Sequence, residues 1–127
     1  MFDEKLMQVA NKLVENCRNG NEMQGLDELY AENAQSYEAA EMEGGGPREF
    51  LGRQAIKDKH DFWNANFEMH SSSVDGPYLH GEDRFSVIYE MDTTNKMSGE
   101  RFQMREVGVY SVQDGKIVKE EFYNAAP

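Results

Sequence analysis

At 127 residues and a formal net charge of −11, the chain has the size of a single domain, 1–127, and lacks the clustered Lys and Arg that nucleic acid or anionic lipid would require. Its one cysteine, Cys17, cannot form an internal disulfide, so a reducing cytoplasm fits. The start Met1-Phe2-Asp3-Glu4 has no basic stretch leading into an apolar run, and no segment has the apolar length of a membrane span.

Leu6, Val9, Ala10, Leu13 and Cys17 recur at helical spacing, with Asp3 placed as a cap and Asn19-Gly20 as the stop. Cys17 lies on that apolar stripe and reads as a packed thiol. A shorter helix, weakened by Gly25, is expected from Met23 to Tyr30, followed by a strand over Ala34 to Glu41. Glu43-Gly44-Gly45-Gly46-Pro47 interrupts regular structure. It lacks the Lys-Ser or Lys-Thr of a phosphate loop, and Glu41 and Glu43 would repel an anion, so residues 43–48 read as a mobile loop at a cavity mouth. A third helix after Gly52 places Ile56, His60, Trp63 and Phe67 on one stripe. Met69 to His80 is extended but interrupted at Gly76-Pro77, which suits a sheet edge or a bulge. Gly81-Glu82-Asp83 turns into a strand carrying Phe85, Val87, Tyr89 and Met91. Helices first and strands afterwards imply an α+β fold, an antiparallel sheet over a helical layer.

Glu100 to Asn124 reads as a long β-hairpin. Phe102, Met104, Glu106, Gly108, Tyr110 and Val112 alternate with Arg101, Gln103, Arg105, Val107, Val109 and Ser111 and share one face. If Asp114-Gly115 is a two-residue turn, Ile117, Lys119, Glu121 and Tyr123 join that face. If Gln113-Asp114-Gly115 is a three-residue loop, Val118, Glu120, Phe122 and Asn124 do. The second register is preferred, because it groups the aromatic residues and sends Arg101, Arg105, Lys119 and Glu121 outward. It sets Gly108 opposite Glu120 and Glu106 opposite Phe122.

Gly52-Arg53-Gln54-Ala55-Ile56, Glu106-Val107-Gly108-Val109-Tyr110, Asp114-Gly115-Lys116-Ile117 and Glu120 to Tyr123 occur here in an order that resembles the SnoaL-like branch of the nuclear transport factor 2-like (NTF2-like) superfamily. The resemblance covers nearly the whole chain. It implies a cone-shaped, curved antiparallel sheet wrapped around N-terminal helices, a cavity at the wide end and a homodimer through the convex sheet face. Cyclases, isomerases, dehydratases and epoxide hydrolases share this fold, so the reaction must be argued from the site. The family's isomerases hold an enolate oxygen with a tyrosine and a protonated acid; Glu106 stands about where that acid would project, and a base would come from His70 or the Tyr37 to Glu41 segment.

Glu106 and Glu120 on one cavity face would repel each other and lose hydration, which raises the affinity of at least one for its proton and suits a general acid-base pair. The bland alternative is that Tyr and Arg hydrogen bonds satisfy both. His70 shares its strand face with Ser72 and Val74 and is the third catalytic candidate. His60, His70 and His80 lack metal-ligand spacing, so no metal site is expected, and the acid-base reading calls for no cofactor. Tyr37, His60, Trp63, Phe67, Tyr89, Phe102, Met104, Tyr110 and Phe122 are the candidate ligand-binding residues, suited to a flat hydrophobic small molecule, with Tyr110 placed to bond Glu106. The two functions left open are an acid-base enzyme of isomerase, cyclase or dehydratase type and a non-catalytic ligand-binding module. Val107, Val109, Ile117 and Tyr123, framed by Arg105, Lys119 and Glu121, are the expected centre of the dimer face.

Overall fold

The amphipathic start of the chain folds as helix α1, Glu4–Asn19, in a computed structural model that describes residues 3–41 and 46–125. Asp3 caps it by accepting the Leu6 N–H at 3.0 Å, and Gly20, at φ 72°, supplies the left-handed residue that ends it. Its stripe of Leu6, Val9, Ala10, Leu13 and Val14 is buried. Helix α2, Glu22–Leu29, crosses α1 at Gly25. A Cβ there would lie 2.3 Å from Asn16 Nδ2, so the glycine that weakens α2 is what lets the two helices close.

Strand β1, Tyr30–Tyr37, starts four residues earlier than the sequence pattern suggests. Short β2, Glu49–Leu51, pairs with it. Residues 42–45 lie outside the described residues, and with them half of the loop, 43–48, expected to move. Helix α3, Arg53–Asn66, follows Gly52, whose carbonyl accepts the N–H of the fully buried Ile56. Strands β3 (Phe67–His80), β4 (Arg84–Asn95), β5 (Arg101–Gln113) and β6 (Lys116–Asn124) complete a six-stranded curved, unclosed sheet of order β2-β1-β6-β5-β4-β3. Neighbours are antiparallel except β1 and β6, which run in the same direction, because β1, delivered by α2, completes the free edge of β6. Pro77, which has no N–H to donate, is tolerated because β3 is an edge strand with a register shift between Asp75 and Tyr78. The helices cover the concave face, where Phe85, Val87, Tyr110, Val112 and Ile117 complete the core.

The terminal hairpin combines features of both anticipated registers. Asp114 and Gly115, at φ 52° and 75°, form a two-residue turn that pairs Gln113 with Lys116. A bulge then places Val118 without a partner between the pairs Val112–Ile117 and Ser111–Lys119. One extra residue reverses parity, so Ile117 and Glu120 both face inward, at 0% and 1% exposure. The expected three-residue loop is therefore wrong, while the expected inward direction of Glu120 and Phe122 holds. Glu120 lies opposite Tyr110, Phe122 opposite Gly108 and Asn124 opposite Glu106. Ile117 leaves the anticipated outer apolar centre, because packing in the core holds it on the other face. Val107, Val109 and the exposed Tyr123 stay on the convex side, and Ile88, the cross-strand partner of Val107, joins them.

Candidate active site

The concave side of β4, β5 and β6 and the inner surfaces of the three helices enclose a cavity of about 260 Å³. Trp63, Met23, Met69, Met91, Met104 and Phe122 supply apolar wall, and Glu106, Tyr89, Tyr110, Glu38 and Lys59 bring polar groups to it. Two polar clusters face this space.

The first is centred on Lys59 of α3. Its Nζ donates to Ser36 Oγ at 2.6 Å and to Glu38 Oε1 at 2.8 Å, and lies 3.6 Å from Glu120 Oε1. Phe50 and Phe122 present their rings to the same ammonium at 5.2 and 5.0 Å. Glu120 receives a bond from Ser36 Oγ at 2.9 Å and one from Tyr30 Oη at 2.5 Å. Residues from β1, α3 and β6 thus form one chain of donors and acceptors, and each buried member has a partner, as desolvated charges require.

The second cluster is a line of hydroxyl and thiol groups. Tyr89 and Tyr110 share a hydrogen bond of 2.6 Å, and Cys17 Sγ lies 3.6 Å from Tyr89 Oη. Burial holds all three protonated, pushing the Cys17 thiol up to about 11 and both phenols well above their ordinary range. Gly108 makes this arrangement possible. A Cβ at 108 would stand 2.9 Å from Tyr110 Cε2, 3.0 Å from its Oη and 3.2 Å from Phe122 Cε1. The space expected between Glu106 and Glu120 is therefore filled by the Tyr110 ring, which stacks on Phe85 with centroids 4.8 Å apart. Gly108→Ala should displace that ring and lower stability by about 1–3 kcal/mol, with a loss of near-ultraviolet tyrosine dichroism; a melting curve and spectrum unchanged from wild type would refute this packing account.

Glu106 stands between the clusters, directly across from Tyr89 on β4. None of the side-chain hydrogen bonds among the described residues ends on its carboxyl. Tyr110 bonds Tyr89 instead, and Arg105 points outward to Glu90, 3.2 Å away. Burial is the leading cause that raises the Glu106 carboxyl to about 7, reinforced by the charges of Glu38 and Glu120 and opposed by Lys59. Burial likewise lowers His60, in the same wall, which favours its neutral form.

The sequence profile of the SnoaL-like domain matches residues 5–124. The chain belongs to the SnoaL-like family. A Mesorhizobium loti structure with a proposed assignment as a SnoaL-like polyketide cyclase is 36% identical, with a TM-score of 0.84 over 93% of this chain and 97% of that one. A Bacillus subtilis structure with a proposed assignment as an isomerase is 21% identical, TM-score 0.67 over 96% and 84% of the two chains. An NTF2-like protein of Burkholderia thailandensis is 17% identical, TM-score 0.76 over 93% and 88%. The last two likenesses show the NTF2-like fold alone. No curated protein matches the chain. Among the described residues no helix is long and apolar enough to cross a membrane.

Of the residues singled out in the sequence, Glu106, Glu120, His60, Trp63, Tyr89, Met104, Tyr110 and Phe122 line the SnoaL-like cavity. His70 does not. A bulge between Met69 and Ser71 leaves it out of the alternation that keeps Ser72 and Val74 opposite Met91 and Tyr89, and its Nε2 meets Thr94 Oγ1 at 2.7 Å on the exposed side. Tyr37 also turns outward, because Ala34 and Ser36 take the inward parity of β1; its ring lies 5.5 Å under Lys119 Nζ. Phe67 and Phe102 sit behind the wall, Phe67 stacked on Trp63 at 3.9 Å and Phe102 edge-on to Phe67 at 6.3 Å. Lys59, Ser36 and Tyr30 were missed, and Glu38 was covered only as part of the Tyr37 to Glu41 segment named as a source of a base. Lys59 had a signal, since it follows Ile56 by three positions and precedes Trp63 by four on the buried stripe of α3.

Proposed function

We propose that this SnoaL-like protein is a cofactor-independent acid-base enzyme acting on a small hydrophobic carbonyl or hydroxyl compound, with Glu106 as the group that gives or takes the proton. The observation that carries this reading is a carboxyl on the wall of an apolar cavity, without a donor among the described residues and raised to about 7, where it exchanges a proton readily near neutral pH. Isomerisation, cyclisation and dehydration all consist of such proton moves, and the polyketide cyclase assignment of the Mesorhizobium loti relative favours a flat, oxygen-bearing substrate. Carboxyl NMR of Glu106 tests the premise. The expected midpoint is near 7, and a value at or below that of an exposed glutamate would remove Glu106 from the chemistry. With a substrate in hand, Glu106→Gln should keep the fold and lower kcat by about 100-fold or more, whereas a pure binding module would lose no turnover.

The functional unit in this proposal is a homodimer. Val107, Val109, Ile88 and Tyr123 make an apolar centre on the convex face, ringed by Arg105, Glu90, Lys119 and Glu121. Light scattering at micromolar concentration should return twice the chain mass; a monomer mass would overturn the dimer.

A further inference from the structure

We infer that Asn16 and His60 form a polar recognition subsite at the helical end of the cavity, and that it reads a hydroxyl group on a neutral aromatic ligand. The subsite uses none of the proton chemistry assigned to Glu106 and would serve an enzyme and a binding module alike.

Asn16 is the decisive residue. It belongs to the buried side of α1, is 7% exposed, and lines the cavity beside Leu13, Leu26 and Leu29. Its backbone carbonyl accepts the N–H groups of Gly20 and Asn21 that close the helix. Its carboxamide takes part in no hydrogen bond among the described residues, whereas every side-chain N or O sealed inside them has a partner. The amide is therefore open, and it opens onto the cavity. A polar group set among leucines costs stability unless a water or a ligand bonds it. Gly25 of α2 lines the same end, and the Cβ it lacks would lie 2.3 Å from Asn16 Nδ2, so the two helices close around this carboxamide.

His60 reaches the same end from α3. Its ring lines the cavity, no hydrogen bond among the described residues ends on it, and burial favours the neutral form, which has one donor and one acceptor. Glu22 of α2 locates the subsite. Its charge acts on His60 and on Cys17, the neighbour of Asn16, while the charges that act on Glu106 are those of Glu38, Lys59 and Glu120. The cavity thus has two separate polar ends.

The ligand class follows from what lies around them. Trp63, Met23, Met91 and Met104 offer aromatic and thioether surface to a flat ring. Asn16 supplies donors and an acceptor, so a hydroxyl, which gives one hydrogen and accepts others, can bond Asn16 and His60 together. An anionic group would meet net repulsion, because Glu22, Glu38 and Glu120 line the cavity against Lys59.

Equilibrium dialysis compares 2-naphthol, naphthalene and 2-naphthoate at about pH 7, where the naphthol is neutral and the naphthoate charged. The wild-type protein should bind 2-naphthol about 10-fold or more tighter than either of the others, since naphthalene leaves the amide unbonded and naphthoate is repelled. In Asn16→Leu and in His60→Leu the preference over naphthalene should fall below about 3-fold. Thermal melting gives a second readout: Asn16→Leu should melt at or above the wild-type temperature, because it replaces an unbonded amide with apolar surface. A wild-type protein that binds neither ring, binds both alike or prefers the naphthoate would overturn the subsite. So would a preference that persists in either variant, or an Asn16→Leu variant that melts below wild type. The titration of Glu106 bears on its acid-base reading alone, so the two fail separately.

Discussion

Raising the pH from about 4 to about 8 should cost the wild-type protein stability that the Glu106→Gln variant retains. Glu106 moves from the usual 4.5 to about 7 on folding, so the folded state binds its proton more tightly than the unfolded state. Between those values the unfolded chain releases the proton first, and stability falls as pH rises. The contribution is complete below 4.5 and is lost on passing through about 7. A difference of this size corresponds to on the order of 3 kcal/mol. Glutamine fills the same space without titrating, so urea denaturation should find the variant more stable than wild type at pH 8 and the two similar at pH 4. Parallel pH profiles for the two proteins would show that Glu106 is solvated or ion-paired in solution.

Lys59→Met should be the most damaging single substitution in the cavity wall, at about 3–5 kcal/mol. Lys59 is 8% exposed and serves two carboxylates, and its removal leaves the fully buried Glu120 without a compensating charge. Tyr30 and Ser36 still bond Glu120 in the variant, which sets the loss below that of an isolated buried ion. Combining Lys59→Met with Glu120→Gln should recover much of the stability, because the charge left unpaired is then gone. A double-mutant cycle by chemical denaturation measures the coupling. Additive losses would mean that Lys59 and Glu120 do not act as a pair. The same lysine also holds Glu38, whose Oε1 accepts from its Nζ at 2.8 Å.

Much of the fold follows from short-range pattern. The stripe from Leu6 to Cys17, the Asp3 cap and the Gly20 stop define α1 because helical spacing and cap chemistry act within a few residues. Gly52-x-x-x-Ile56 marks the start of α3 in the same way, since one carbonyl and one buried side chain are all the motif needs. The inward direction of Glu106 was equally legible: β5 keeps strict alternation from Phe102 to Tyr110, and a carboxylate in that series must share the core face.

What the local pattern could not decide is where alternation breaks. The bulge at Val118 brings Ile117 and Glu120 to one face, and the bulge after Met69 removes His70 from the cavity, although nothing in either segment announces an extra residue. A bulge is selected by what the two halves of a strand pack against, here the helical core for Ile117 and the Tyr30, Ser36 and Lys59 donors for Glu120. The pairing of Lys59 with Glu38 has the same origin, because it joins residues from a helix and a strand end that only the closed fold brings together. The sequence by itself therefore determined the elements and the inward face of β5, which are set by interactions between near neighbours, while the NTF2-like architecture was legible only through the resemblance to a family. The tertiary structure alone decided which carboxylate is sealed in the core and which stays partly accessible on the cavity wall, because burial, unlike periodicity, is a property of the whole packed chain.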